Sequence, residues 1–236
     1  LVLGLQAFSS LGLVYVLSLL VIGLAQLKKE KPDGLFLVCG YIASAELIWR
    51  MTKAPVFWES GKYLLVLLMG LGIIRWKFRL AGKPLLYFLL LVPGIFVTLN
   101  TVNLSTARDS ISFNLSGPLL LTVSAIFFNG IRLKRLTFNR FLLLSIVPIT
   151  GIWFLAIRST LGGSGVLFSD NSNFATSGGY GPNQVSAVLG LGVLFCWLYL
   201  FTARPTGRRF WLLGGIGLAL LVQAILTFSR GGVFNL

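Results

Sequence analysis

The chain has 236 residues, of which 56% are hydrophobic and only 11% are charged, and its mean hydropathy is +0.89. A soluble domain usually has about 25% charged residues, so this composition excludes an ordinary soluble protein and predicts an integral membrane protein. The net charge of +14 could indicate a nucleic-acid partner, but the basic residues stand in short clusters between apolar runs. Membrane topology accounts for such clusters, and we therefore expect no nucleic acid as a partner.

Charged residues divide the chain into eight apolar runs of roughly the length, about 20 residues, that crosses a bilayer as a helix. The runs are 1–27, 35–49, 60–75, 84–99, 115–131, 141–157, 183–203 and 210–229. They predict an all-α fold: one polytopic helical membrane domain over residues 1–236, with about eight transmembrane helices. The third run is short between Lys62 and Arg75, so it spans only if Lys62 snorkels or if the helix begins near Val56.

The connections between the runs alternate in charge. Those after the first, third, fifth and seventh runs contain 14 of the 20 Lys and Arg residues. These basic clusters are Lys28–Lys31, Arg75–Lys83, Arg132–Arg140 and Arg204–Arg209. Cytoplasmic loops hold the excess of Lys and Arg, so the clusters are predicted to lie inside and Leu1 outside. A chain that begins outside without a methionine is expected to be a piece of a longer protein.

The two longest outward connections, 100–118 and 158–184, are rich in Ser, Asn, Gly and Thr. Long loops on a rigid scaffold are where binding groups concentrate. In the second loop, glycines lead to Gly181, after which Pro182 suits the first turn of a helix. The N–H groups at such a helix start favour an anion, so Asn183 and Gln184 are candidate binding residues. The alternative is an ordinary glycine-rich loop.

The eighth run ends in the segment Leu226–Gly232, which reads Leu-Thr-Phe-Ser-Arg-Gly-Gly. Arg230 could simply complement the negative end of a helix. However, it is predicted on the same outer face as Gly181–Gln184, and an arginine beside oriented N–H groups would form a phosphate clamp. Ser229, next to Arg230, and Arg158, at the start of the outer loop, are further candidate substrate-binding residues.

The remaining polar residues indicate structural roles. The chain has no histidine, which excludes a Ser-His-Asp triad and a His-ligated metal site. Glu46 could indicate proton coupling, but Arg50 follows four residues later, so a structural ion pair is favoured. Arg108 and Asp109 are expected to form a local pair, although Arg108 could also add to a cationic vestibule. Two cysteines within apolar runs are interpreted as buried hydrophobic residues without a disulfide: Cys39 and Cys196.

Two segments near the C terminus together carry a family resemblance. Phe174–Ala187 reads Phe-Ala-Thr-Ser-Gly-Gly-Tyr-Gly-Pro-Asn-Gln-Val-Ser-Ala and leads into a helix, an inner basic loop and then Leu226–Gly232. This pair resembles the core of the O-antigen ligase and O-antigen polymerase superfamily, in which a G-x-x-N-x-N-x-x-A type loop precedes one helix and the next ends in L-T-x-S-R-G. The second motif matches at Arg230 and its neighbours; the first matches at Asn183 and Ala187, with Gly181 where the family commonly has asparagine.

The resemblance implies a membrane-embedded glycosyltransferase of polysaccharide or lipopolysaccharide biosynthesis, in the bacterial inner membrane with its active face outward. Its donor would be a polyprenyl-diphosphate-linked glycan, and its acceptor a hydroxyl of lipid A core or of another glycan. Arg230 would neutralise the charge on the leaving diphosphate. No cofactor or metal is implied. In the family, a large external loop with another Arg and a His follows this motif. This sequence stops at Leu236, before the position where the resemblance places that loop.

A transporter or flippase for a lipid-linked or anionic solute is the alternative function. Transporters commonly show repeated halves with helices interrupted near the midplane. The sequence has no such internal symmetry, and its Arg and Gly motifs are predicted at the outer ends of helices. The pattern therefore favours the transferase, while ligase and polymerase stay open because both use the same donor.

Overall fold

The computed structural model describes residues 2–7, 10–162 and 174–227, without the side chains of residues 6 and 7. These ranges contain ten α-helices and one 3-10 turn but no strand, which confirms the all-α prediction. The helices are α1 Val2–Ala7, α2 Ser10–Gln26, α3 Asp33–Met51, α4 Ser60–Arg75, α5 Gly82–Leu91, α6 Pro93–Thr101, α7 Leu104–Asn129, α8 Arg135–Gly162, α9 Pro182–Ala203 and α10 Arg208–Leu226; the 3-10 turn is Ala175–Ser177.

Six helical segments in the described part of the chain are long and apolar enough to cross a membrane. They are Asp33–Met51, Gly82–Thr101, Leu104–Asn129, Arg135–Gly162, Pro182–Ala203 and Arg208–Leu226. The chain therefore has the helices of a multi-pass membrane protein. The total number of transmembrane helices, about eight, stays a prediction. The third predicted run corresponds to α4, which begins at Ser60 rather than near Val56 and has 16 residues. At about 1.5 Å per residue it is shorter than a hydrocarbon core of about 30 Å.

The connection 100–118 was expected to be a long polar loop, and this expectation is wrong from Leu104 onward, where α7 begins. The polar side chains of this stretch find partners on α4. The hydroxyl groups of Tyr63 and Ser112 are 2.9 Å apart, and Lys62 Nζ donates to Ser116 Oγ over 3.3 Å. Tertiary contacts of this kind override weak local helix preference.

The helices form two compact units, one of residues 1–15, 44–55 and 134–236, the other of residues 16–43 and 56–133. The first unit contains α8, α9 and α10, which pack closely at small residues. A Cβ added at Gly192 would lie 2.7 Å from Ile149 Cγ2 and 2.8 Å from Leu220 Cδ1, and one added at Gly217 would lie 3.3 Å from Cys196 Cβ. Small residues allow such close helix approach in membrane proteins. Cys196 is buried and free, as predicted.

The second unit is built around α7, which packs on α4, α5 and α6. Aromatic rings fill one end of the unit: the Phe127 ring centroid lies 5.8 Å from that of Phe78 and 5.6 Å from that of Phe128. Thr122 in α7 donates from Oγ1 to the carbonyl of Pro84 over 3.3 Å. These contacts join the C-terminal part of α7 to the start of α5 and to the residues just before it. The polar N-terminal part of α7 lies beside the start of α4.

Within each unit, the basic clusters that were predicted to lie inside share one end. In the first unit, Arg135 Nε donates to the carbonyl of Thr202 over 2.7 Å, which joins the start of α8 to the end of α9. In the second unit, Arg75 Nε donates to the carbonyl of Leu27 over 3.2 Å, which joins the ends of α2 and α4. The alternation of charge along the sequence requires the basic connections of each unit to lie at the same end of its helices, and these two contacts agree with that requirement.

Cysteine labelling tests which end lies in the cytoplasm. Gln184 and Thr206 are exposed at opposite ends of α9, and the native Cys39 and Cys196 are buried, so background labelling should be low. We expect Gln184→Cys to react with a membrane-impermeant maleimide in intact cells and Thr206→Cys to react only after permeabilisation. The reverse pattern would contradict the predicted topology, and the unsubstituted protein serves as the background control.

Candidate functional site

The candidate site begins where α9 starts, as the sequence predicted. Gly181 stands at the N-cap and Pro182 is the first helical residue. The N–H groups of Gln184 and Val185 both donate to the carbonyl of Gly181 over 3.1 Å, which tightens the first turn. The side chains of Asn183 and Gln184 are exposed, whereas Pro182 is buried. The positive end of the α9 dipole therefore faces the surface beside two polar side chains.

The turn before α9 has a defined conformation. The N–H of Gly179 donates to the carbonyl of Phe174 over 2.8 Å, and Ser177 Oγ donates to the carbonyl of Tyr180 over 2.5 Å. Gly178 has φ 74°, in the left-handed region that favours glycine. A Cβ there would lie 2.6 Å from Met51 Cε. The turn therefore needs glycine for both its conformation and its close packing.

A buried glutamine joins this turn to two helices. Gln223 in α10 is 2% exposed, and its Nε2 donates to the carbonyl of Thr176 over 2.7 Å and to Thr160 Oγ1 over 3.1 Å. Ser186 in α9 lies 3.5 Å from the carbonyl of Ala224, measured from its Oγ. The ends of α8 and α10, the start of α9 and the turn thus meet at one end of the first unit. The partner of this turn in the predicted clamp, Arg230, lies outside the described residues.

The structure places four of the six predicted site residues at this end. Arg158 was predicted at the start of the outer loop, but it lies inside α8, which continues to Gly162; its side chain is exposed. Gly181, Asn183 and Gln184 stand at the start of α9. Ser229 and Arg230 lie outside the described residues, which end at Thr227 in this region. The clamp between Arg230 and the start of α9 therefore stays a prediction.

The charged residues that the structure describes at this end are mainly basic. Glu46 is the one acidic residue that the structure describes in the first unit, and it forms an ion pair with Arg50 in the next turn of α3. This contact confirms the predicted structural pair. Among the described residues, Arg158 in α8 and the positive end of the α9 dipole therefore add positive charge at this end.

The local pair predicted between Arg108 and Asp109 is not formed. Both residues are exposed in α7, and no ion pair joins them among the described residues. Successive residues on a helix point in different directions, so adjacency in a helix does not bring the two charges together. The prediction assumed an irregular loop, which would have allowed them to meet.

Sequence reasoning missed Gln223, Thr176 and Gly178, which position the turn. The available signal for Gln223 was that it is the one amide side chain in the 19 residues of α10. A polar group inside a membrane helix usually pairs with another helix or with backbone. The partner itself, the carbonyl of Thr176, could not be read from the sequence, because it belongs to an irregular segment 47 residues away.

Comparison with protein-family models, with curated proteins and with solved structures finds no match to this chain. The six long apolar helices in the described part of the chain define the class of the protein as a multi-pass helical membrane protein. Its candidate site is one end of the first helical unit, where a glycine turn precedes the N terminus of α9.

Replacing Gln223 tests whether it holds this end together. In Gln223→Leu the buried carbonyl of Thr176 loses its side-chain donor, and we expect the free energy of unfolding to fall by about 1–2 kcal/mol. The measurement is reversible unfolding in mixed micelles, compared with Gln184→Leu, which removes an exposed amide from α9. Equal stability of the two variants would show that the Gln223 contacts contribute nothing.

Proposed function

We propose that this protein is an integral membrane glycan transferase of the O-antigen ligase or polymerase type. It would move a glycan from a polyprenyl diphosphate to an acceptor hydroxyl at the outer face of the bacterial inner membrane. The motif pair Phe174–Ala187 and Leu226–Gly232 supports this proposal. Membrane lipids surround the protein, and the two substrates are the lipid-linked donor and a glycan or lipid A core acceptor.

The observation that carries the proposal is the contact between the turn of the first motif and α10, close to where the second motif begins. Gln223 in α10 donates to the carbonyl of Thr176 in the turn of the first motif and lies four residues before Thr227, the last residue described in this region. The second motif begins at Leu226, so both motifs start from the same end of the first unit.

The chemistry required at this end is stabilisation of negative charge. The acceptor hydroxyl oxygen bonds to the anomeric carbon, and the bond from that carbon to the diphosphate oxygen breaks. The electron pair leaves with the polyprenyl diphosphate, and the hydroxyl proton passes to a base or to water. The positive end of the α9 dipole, Arg158 and Arg230 would bind the donor diphosphate and stabilise its developing charge.

The outward orientation rests on the distribution of basic residues. Lys and Arg are concentrated in the connections at the other end of the helices, beside Arg135 in the first unit. Cytoplasmic loops carry such an excess. The candidate site would then face the periplasm or exterior, where a lipid-linked glycan meets its final acceptor.

A reconstituted transfer assay tests the function. The intact protein is placed in liposomes with a polyprenyl-diphosphate-linked oligosaccharide as donor and lipid A core as acceptor. We expect release of polyprenyl diphosphate coupled to a larger glycan product, on the core for a ligase or on a second donor glycan for a polymerase. Movement of intact donor across the bilayer without any glycosidic bond formation would overturn the proposal and favour a flippase.

A further inference from the structure

A cluster of exposed basic residues lies at the end of the first unit opposite the candidate site. It comes from the start of α8 and from the connection between α9 and α10: Lys134, Arg135, Arg140, Arg204, Arg208 and Arg209. The one acidic residue that the structure describes in this unit, Glu46, is paired with Arg50 near the opposite end. Within the described part of the unit, no carboxylate therefore balances this arginine cluster.

Tertiary contacts bring the members of the arginine cluster to one surface. Arg135 Nε donates to the carbonyl of Thr202 over 2.7 Å, and Thr202 Oγ1 donates to Asn139 Oδ1 over the same distance. These bonds fix the start of α8 beside the end of α9. Arg204 then ends α9 with a φ of 47°, and α10 begins four residues later at Arg208.

The residue types distinguish the arginine cluster from charges that only orient the chain. Lys and Arg serve equally to keep a connection in the cytoplasm. The basic end of the second unit is mostly lysine and also contains the acidic residues Glu30 and Asp33. Its basic residues are Lys28, Lys29, Lys31, Arg75, Lys77, Arg79, Lys83 and Arg132. In the arginine cluster only Lys134 is a lysine, and a planar guanidinium binds two phosphate oxygens where an ammonium is a point charge.

The face of α10 that carries Arg208 indicates where such a phosphate comes from. Trp211, Leu218 and Val222 follow Arg208 at helical spacing and are 77%, 63% and 49% exposed. Arg208 thus heads an apolar stripe that faces outward from the unit, at the boundary marked by the basic connections. A phosphate held there places the chains of a phospholipid along the stripe, whereas a free phosphate ion has nothing to place on it.

Arg209 belongs to a different face of the same helix. Leu213, Gly217 and Leu220 follow it at helical spacing and are all buried. Successive residues of an α-helix point about 100° apart, so Arg208 and Arg209 carry equal charges in different directions. The two arginines therefore form a matched pair for an experiment.

We propose that Arg208 and Arg204 bind the phosphate of phosphatidylglycerol, an anionic phospholipid, whose acyl chains lie along the exposed stripe of α10. Four residues span at most about 14 Å, so both long side chains can reach one phosphate. A zwitterionic headgroup brings its own ammonium, which the surrounding arginines repel, so the anionic lipid is favoured. The assignment concerns the end opposite the candidate site and does not depend on the transferase proposal.

Photocrosslinking tests this lipid site. The intact protein in phosphatidylcholine nanodiscs receives a trace of diazirine-bearing phosphatidylglycerol or of the matching phosphatidylcholine probe. Labelling of segment 208–222 is quantified by mass spectrometry. We expect the phosphatidylglycerol probe to label it more strongly, and we expect this preference to fall about fivefold in Arg208→Gln. Arg208→Lys keeps the charge, and with it the orientation signal, but should still lose part of the preference because the guanidinium fork is gone.

Two comparisons separate a lipid site from diffuse attraction and from a free anion. Arg209→Gln removes the same charge from the packed face and should change the preference by less than about twofold. Excess inorganic phosphate should leave the labelling unchanged, because the acyl chains also hold the lipid. Equal labelling by the two probes, an equal loss in Arg208→Gln and Arg209→Gln, full preference in Arg208→Lys, or displacement by inorganic phosphate would each overturn the proposal.

Discussion

Substitution of Arg230 by alanine is expected to abolish glycan transfer while the protein still inserts and folds. A positive charge that only complements a helix end contributes about 0.3–1 kcal/mol, too little to unfold a helical membrane bundle. One well-placed donor that stabilises developing charge is worth about 2.7–4 kcal/mol, or a factor of about 10²–10³ in rate. The two roles therefore differ in what they predict for activity. The measurement is product formation in the reconstituted assay, with insertion checked by protease protection.

Two further variants refine this test. Arg230→Lys should recover little activity, because an ammonium group is a point charge and cannot bind two diphosphate oxygens with a planar fork. Arg209→Ala, which removes an exposed arginine from the opposite end of α10, is the matched control and should transfer at the unsubstituted rate. If Arg230→Ala is correctly inserted and transfers normally, the clamp role is wrong and Arg230 is a helix-capping residue.

Substitution of Lys62 by methionine is expected to cause the largest loss of stability. It would leave the carboxylate of Glu59, whose side chain is 7% exposed, without its ion-pair partner. Removing one member of a buried pair typically costs about 3–5 kcal/mol, because an uncompensated charge remains inside. We expect a fall of about 3 kcal/mol in the free energy of unfolding, since the 25% exposure of the Lys62 side chain leaves some access to water.

A double variant identifies the cause of that loss. Glu59→Gln together with Lys62→Met removes both charges and keeps a group that can bond to Ser116, so most of the lost stability should return. Lys53→Met, which changes an exposed lysine, should stay within about 0.5 kcal/mol of the unsubstituted protein. If the double variant is less stable than Lys62→Met alone, packing rather than buried charge accounts for the effect.

The contrast between two polar stretches explains where sequence reasoning succeeded. Both 100–118 and 158–184 were predicted as outer loops from their Ser, Asn, Gly and Thr content. In the second, Gly178 and Gly179 have positive φ angles directly after the 3-10 turn, and Pro182 starts α9. In the first, no glycine or proline stands between Leu104 and Ser116, and even Gly117 and Pro118 lie inside α7 without ending it. Contacts with α4 satisfy the polar side chains of this stretch, and this packing keeps the helix continuous.

The sequence by itself determined the class of protein, the helical runs and the alternation of basic connections, because hydropathy, glycine, proline and charge act locally along the chain. It also predicted the start of α9 and the Glu46–Arg50 pair, which depend on residues at most four apart. Only the tertiary structure decided which distant groups meet, such as Gln223 with Thr176 and Glu59 with Ser116. Those pairs are separated by 47 and 57 residues, and their hydrogen bonds exist because helix packing brings buried donors and acceptors together where water cannot replace them.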